Sequence, residues 1–336
     1  MDRVEATVVD ACTRDGGGGS PTAVVIDDVA RTDGERRAIA AAAGTSHTVF
    51  VGTGGGDVVA VRFFTAAGEL ANCGHGIIAA QAVLLHRSGA TEHHGCQRTG
   101  NRTFQVTATR RPGGVEVWFD QGVIALRDGA GAVSGGIVAA LGLTPDDVIA
   151  GDLRIASPGT PRLLVPVRDR RTLAAMRPDF ARLADECRRL GLLGCFTYAL
   201  SPTATPTATP TVAASTNATA STAATAKTAA TAKTADAAKR ADAASTADAR
   251  MFAPAIGVDE DIANANSAGC LAAHLLDTSG DGGVEVRQGD RLGRPSSVLA
   301  TATRTRAGIV TRIGGVAQVG GGARIGGVAQ AGGRTT

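Results

Sequence analysis

Apolar positions along the chain fall into one arrangement that occurs twice. The first copy is Phe64-Thr65-Ala66-Ala67-Gly68, then Asn72-Cys73-Gly74-His75-Gly76, then an apolar run from Ile77 to Leu85 broken only by Gln81. The second is Phe252-Ala253-Pro254-Ala255-Ile256-Gly257, then Asn264-Ala265-Asn266-Ser267-Ala268-Gly269, then Cys270 to Leu276 broken only by His274. Each copy predicts an extended segment, a small-residue turn and a helix apolar on nearly every side, and such a helix is buried. A buried helix that starts at a Gly/Asn/Ser turn aims free N–H groups and a positive dipole end at whatever stands before it. Two of them predict a clamp for an anionic small molecule.

The remaining pattern extends the duplication. Val4 to Val9 and Ala23 to Ile26 alternate as strands around a Gly16 to Gly19 loop. Thr32 and Glu35 have capping-box spacing and open a helix over Arg36 to Ala43, which Gly44 ends. Ser46 to Val51 and Val58 to Phe64 read as strands, and Thr103 to Thr109 with Val115 to Phe119 as a hairpin. The order then restarts with a strand at Leu163 to Val167, an amphipathic helix at Asp179 to Leu190 and a strand at Cys195 to Leu200. These elements predict two similar domains, 1–127 and 134–320, with a boundary in the glycine-containing stretch 122–133 and a flexible tail at 321–336. Residues 201–249 are nearly all Ala, Thr, Ser, Pro, Lys and Asp, with one branched aliphatic residue, Val212. Such a segment cannot form a core and reads as a disordered surface insertion, which costs little.

Composition narrows the class. The 336 residues allow a core in each of two domains. A net charge of +3 and no basic run interleaved with aromatics argue against nucleic acid. No apolar run reaches the roughly 18 residues of a membrane span. The N-terminus lacks a signal-peptide profile, so a cytoplasmic protein with reduced thiols is expected. None of the six cysteines lies in a C-x-x-C pair, so no metal site is expected. The His93-His94-Gly95-Cys96 cluster reads as a solvated loop.

Five segments in order carry a resemblance. Asp10-Ala11-Cys12-Thr13 with Gly19-Ser20-Pro21-Thr22-Ala23-Val24-Val25 resembles D-A-F-T…G-N-P-A-A-V-V, and Ser46-His47-Thr48-Val49-Phe50 resembles S-E-T-x-F. Cys73-Gly74-His75-Gly76 resembles C-G-H-[AG]; Phe252-Ala253-Pro254 with Glu260-Asp261 resembles F-x-P…E-D-P-x-T-G-S-A. Gln288-Gly289 with Gly293-Arg294-Pro295-Ser296 resembles Q-G-x-x-x-G-R-P-S. The chain thus resembles the PhzF-like (phenazine biosynthesis) isomerases, relatives of diaminopimelate epimerase. The resemblance implies an α/β (α+β) fold of two pseudo-symmetric domains, each a curved sheet around a central helix. It also implies an active site between them, no cofactor and a homodimer. Two departures stand out. His47 replaces the family's catalytic carboxylate. In the second motif Asn266 takes the place of the family serine when read without a gap, and a one-residue insertion puts Ser267 there instead.

The candidate catalytic residues are therefore His47, His75, Asp261 and Cys73, with Gly74, Gly76, Ser267 and Ala268 as substrate-binding positions. Imidazole suits proton transfer near neutrality, against the plainer reading of His47 as a packed strand residue. A thiol at a helix start is acidified and can remove an α-proton, against Cys73 as a small buried residue. His75 and Ser267 either contact substrate or simply cap their helices. Asp261 either sets an imidazole tautomer or is a loop carboxylate. Arg294 either forks a substrate carboxylate or pairs internally. The expected activity is a cofactor-independent isomerisation of a small carboxylate or amino-acid-like metabolite. A Cys-assisted epimerase and a non-catalytic binding protein are the alternatives.

Overall fold

The computed structural model describes residues 4–54, 58–129, 136–201 and 245–325. In chain order the first half contains β1 (Val4–Ala11), β2 (Ser20–Asp27), α1 (Asp33–Ala42), β3 (His47–Gly52), β4 (Val58–Phe64) and β5 (Glu69–Leu70). Then come α2 (Gly74–Ser88), β6 (Glu92–Thr99), β7 (Arg102–Arg111), β8 (Gly114–Val123) and β9 (Ala125–Asp128). The second half has α3 (Ile137–Ala140), β10 (Arg154–Ser157), β11 (Arg162–Pro166), α4 (Arg170–Ala175), α5 (Phe180–Leu190), β12 (Cys195–Leu200), β13 (Ser245–Ala253) and β14 (Val258–Asp261). It ends with α6 (Ala265–Thr278), β15 (Gly283–Gln288), β16 (Ser296–Thr305) and β17 (Gly308–Ile325).

Strand pairing shows the duplication directly. In the first half β2 runs parallel to β3, β3 antiparallel to β4, β4 parallel to β6, and β6, β7 and β8 follow antiparallel. In the second half β11∥β12, β12–β13 antiparallel, β13∥β15, then β15, β16 and β17 antiparallel repeat the same sequence of directions. Two reciprocal crossings join the lobes. The chain leaving β8 continues as β9 and pairs with β10, the first strand of the second half. The far end of β17 returns to pair with β1, while its middle pairs with β8. Each lobe thus lends its last strand to the other, and all the described strands form one continuous sheet curved around α2 and α6.

The two central helices are buried as their apolar runs predict, and a single core cluster spans both. The polar residue that interrupts each run has a polar group beside it, hydrogen-bonded for Gln81 but only in contact for His274, whose ring nitrogens have no hydrogen-bond partner among the described residues. Gln81 Nε2 donates to Gln97 Oε1 at 2.8 Å, and His274 Nε2 lies 2.9 Å from Asp152 Oδ1. Local signals also act as read. Thr32 and Glu35 form the capping box of α1, and the Asp179 side chain caps α5. No described helix is long and apolar enough to cross a membrane.

Some expectations need correction. The histidine cluster at 93–96 is not a loop but part of β6, paired along its length with β7. The insertion ends earlier than residue 249: residues 245–249 belong to β13, where Ala247 and Ala249 are buried against the core. Residues 321–325 belong to β17, not to a free tail. Residues 202–244 and 326–336, to which the remaining insertion and tail readings apply, lie outside the described residues.

Two outcomes follow. Leu200 already pairs with Ala247, and the Ser201 N–H donates to the Thr246 carbonyl at 2.8 Å. Replacing residues 202–244 by an Asn-Gly turn therefore keeps the fold and moves the denaturant midpoint upward, because shortening this connection from 43 residues to two removes a closure cost of about 2–3 kcal/mol. At the helix tips, a Cβ on Gly74 would lie 2.4 Å from Ala265 Cβ. Gly74→Ala is expected to cost about 1–3 kcal/mol by overpacking. Adding Ala265→Gly restores most of it, which urea unfolding of the double variant measures.

Candidate active site

The helix starts meet tip to tip. This differs from the clamp that the sequence predicts, in which free N–H groups face a ligand. Gly74 packs on Ala265, and Asn72 Nδ2 donates to Asn266 Oδ1 at 3.4 Å across the lobes. Asn264 is the N-cap of α6 and accepts from the Ser267 N–H at 3.0 Å; Ser267 is not the cap. The Ser267 hydroxyl is fully buried, accepts from Arg162 Nη1 at 3.2 Å and lies 3.6 Å from Met251 Sδ. Gly74, Gly76 and Ala268 are buried as well. None of these four predicted binding positions lines the cleft described below, because the tips are used up by packing against each other.

What lies above the tips is a cleft of about 910 Å³ whose wall includes His47, Asp261, Arg177 and Arg291. His47 begins β3, beside β2, and stands half-buried on that wall. Behind it, His75 on the first turn of α2 is 4% exposed. His75 Nε2 lies 2.9 Å from His47 Nδ1 and 3.2 Å from Cys73 Sγ. The rings of His47 and His75 meet edge to face, with centroids 4.4 Å apart. One ligating atom from each of His47, Cys73 and His75 falls within 4.8 Å of the others. The structure thus brings together His47, Cys73 and His75, with Asp261 near enough to act on His47 electrostatically.

Burial sets the charge states. Desolvation, then the facing His75 ring, lowers His47 to about 3, with Asp261 opposing. Desolvation lowers His75 to about 4, against a hydrogen bond to the Ala263 backbone. Both rings are neutral at pH 7. Burial raises the Cys73 thiol, and the nearby Asp261 charge adds to this, despite the Gly76 N–H that opposes it. A helix N-terminus contributes only about 0.3–1 kcal/mol, less than one pKa step of about 1.4 kcal/mol, so desolvation wins and Cys73 stays a thiol. Burial likewise raises Asp261, opposed by His47 and by the Asn264 side-chain amide, which donates to Oδ2 at 2.9 Å.

The hydrogen-bond network assigns the tautomers. His75 donates its N–H to the Ala263 carbonyl, which makes Nε2 an acceptor. His47 Nδ1–H then donates to that Nε2, with Ser46 Oγ 3.0 Å from the same nitrogen. His47 Nε2 is left with its lone pair and no hydrogen-bond partner among the described residues. A backbone carbonyl of the second lobe therefore fixes, through one ring, the basic nitrogen of another.

Several residues here escaped the sequence reading. Asn264 caps α6 and steadies Asp261 at once. Arg162 is 2% exposed, its Nη groups held by Ser267, Asn264 and the Thr160 carbonyl, with no carboxylate partner among the described residues. Its place at the start of an apolar strand carried no sign of burial. Gln121 reaches Asn266 from β8 and accepts from Thr311. Gly269 makes room for it, since a Cβ there would lie 1.9 Å from Gln121 Oε1. Arg294 pairs internally, with Asp10 and the Gly18 and Gly19 carbonyls, and pins the glycine loop.

Comparison with known proteins agrees with this architecture. The uncharacterized isomerase YddE of Escherichia coli O157:H7 is 25% identical over 303 residues, 88% of this chain and 89% of that protein. An uncharacterized isomerase of Deinococcus radiodurans is 26% identical over 296 residues, 84% and 81% of the two chains. A Bacillus anthracis phenazine biosynthesis protein of the PhzF family shares the fold at a TM-score of 0.75 and 17% identity, over 97% of this chain and 99% of that one. A hydroxyproline epimerase of Agrobacterium vitis shares it at 0.57 and 11% identity, over 96% and 92%. The family model described as phenazine biosynthesis-like protein (PhzC-PhzF) matches residues 9–207 and 208–319, and the chain belongs to that family.

Proposed function

We propose that this isomerase moves a proton between two positions of a small carboxylate or amino-acid-like metabolite, with His47 as the base and no cofactor consumed. The observation that carries the reading is the tautomer relay: His47 Nδ1 is held by His75 Nε2 at 2.9 Å, which leaves Nε2 free on the cleft wall. Base strength is the physical difficulty, since a nitrogen at about 3 is a weak acceptor. The reaction itself supplies the remedy. Negative charge developing on the substrate beside His47 favours the imidazolium and raises its pKa as the proton moves. Asp261, which already acts on His47 electrostatically, adds to this.

The substrate class rests on the cleft's cations. Arg177 Nη1 donates to the Ala174, Ala175 and Met176 carbonyls, and Arg291 Nη1 donates to the Ala174 carbonyl. Neither arginine forms an ion pair among the described residues. Both line the cleft, where a guanidinium suits a carboxylate. Amino-acid-like ligands are further supported by the likeness to the hydroxyproline epimerase, whose structure holds trans-4-hydroxy-L-proline. A two-thiol racemisation is disfavoured. Cys73 is held as a thiol, and the residue that takes its place as N-cap of α6 is Asn264, which carries no thiol.

The test is solvent exchange. Chelator-treated protein is incubated in heavy water with a panel of amino acids and cyclic carboxylates that includes trans-4-hydroxy-L-proline, and proton NMR follows loss of carbon-bound hydrogen. His47→Ala is expected to slow exchange by about 10²–10⁴. Tight binding without any exchange would point to a binding protein instead. Exchange that survives His47→Ala but disappears in Cys73→Ala would move the base to the thiol.

The pH profile is a separate check. With His47 at about 3 and His75 at about 4 in the free protein, the acid limb of kcat/KM lies below pH 5. A limb near 6.5, the ordinary histidine value, would mean that neither ring is desolvated.

A further inference from the structure

The geometry points to a divalent transition-metal site formed by His47 Nδ1, His75 Nε2 and Cys73 Sγ, occupied by an ion of the zinc or cobalt type. Three donors from two elements, the start of β3 and the start of α2, converge on one point. The two short separations are 2.9 Å between the imidazole nitrogens and 3.2 Å between His75 Nε2 and the sulfur. All three donor atoms lie within 4.8 Å of one another. A tetrahedral zinc ion with nitrogen at about 2.0–2.1 Å and sulfur at about 2.3 Å sets neighbouring donors about 3.3–3.6 Å apart. The two short pairs need to open by less than about 0.5 Å, and the third, between His47 Nδ1 and Cys73 Sγ, to close from within 4.8 Å by up to about 1.2 Å, which side-chain rotation can supply.

The chemistry of the donors agrees. Two imidazoles and a thiolate are a zinc-type ligand set. A histidine ligand is oriented by what its other nitrogen donates to, commonly a backbone carbonyl. Here the Ala263 carbonyl already plays that part for His75. A tetrahedral ion would take its fourth ligand from a water or a nearby carboxylate. Binding balances as Cys73–SH plus M²⁺ giving Cys73–S–M⁺ plus one proton, so the site tightens as pH rises.

Occupancy has a consequence for turnover, and this part rests on the proton-transfer reading above. When His47 Nδ1 holds a metal, the ring's hydrogen must sit on Nε2. That nitrogen can no longer accept a proton. The metal is then an inhibitor that locks the base in the wrong tautomer, and not a cofactor of the reaction.

The test uses the full-length, untagged, metal-free chain, titrated anaerobically with Co²⁺ alone. Saturation at one equivalent is expected, with a near-ultraviolet sulfur-to-cobalt charge-transfer band and the intense visible bands of a four-coordinate ion; Zn²⁺ bleaches both. Cys73→Ser removes the charge-transfer band. His47→Gln, on the half-exposed cleft wall where folding is least at risk, weakens Co²⁺ binding by about tenfold or more. Cys96→Ser, beside His93 and His94 on β6, leaves the spectrum unchanged. No charge-transfer band, a band that survives Cys73→Ser, or one lost in Cys96→Ser would overturn the site. Because the spectrum is read without substrate, it stands or falls separately from exchange chemistry. Zn²⁺ that binds at this site yet leaves exchange undiminished would overturn only its inhibitory role.

Discussion

The contact on which the site depends is between two helix starts. Gly74 has no Cβ, so α2 can bring its first turn against Ala265 on α6. That approach places a carbonyl of the second lobe, at Ala263, against an imidazole of the first, at His75. A hydrogen bond weakens steeply with distance and angle. A shift of the tips by a fraction of an ångström would release His75 and leave both rings free to exchange tautomers. The reciprocal strands guard against this: β9 closes on β10, and β17 closes on β1, so neither lobe can slide without breaking ladder bonds.

Burial then divides the chemistry among the clustered groups. The same desolvation that keeps His47 and His75 neutral, and so able to accept, keeps Cys73 protonated, and so unable to attack. A dry site thus favours an imidazole base over a thiolate without any change of fold. Arg162 lies beneath α6 with no carboxylate to pair with among the described residues, and burial lowers its pKa. Its cost is borne because its Nη groups secure Asn264 and Ser267, the residues that hold the second tip.

How much of this was legible in the sequence follows from what is local. The two apolar runs declare buried helices by themselves, and Thr32-Glu35 and Asp179 declare helix starts, because period and capping act over a few residues. The exchange of strands between lobes was hidden, since pairing of β17 with β1 joins residues three hundred positions apart by backbone bonds that any side chain allows. Ser245-Thr246-Ala247-Asp248 read as insertion because small polar residues carry no strand signal, yet their partners in β12 and β15 make them strand. By sequence alone the helix starts look like open donors. Only the tertiary packing of one against the other shows that they are closed, and that His47 and Asp261 line the cleft in their stead.

The resemblance implies a carboxylate where this chain has His47, and under the proposed reading that exchange carries more than a change of pKa. A carboxylate's two oxygens are equivalent, and whichever faces the cleft is a base. An imidazole's nitrogens are not equivalent, since one must carry the hydrogen when the ring is neutral. Under the proposed reading, a histidine here presents an accepting nitrogen to the cleft only if its inner nitrogen has a partner to donate to, and His75 Nε2, at 2.9 Å, is that partner. Control of the reactive atom passes from the cleft to the buried interface behind it. It follows that whatever occupies the inner nitrogen, a ring or a metal ion, decides whether the outer one can take a proton.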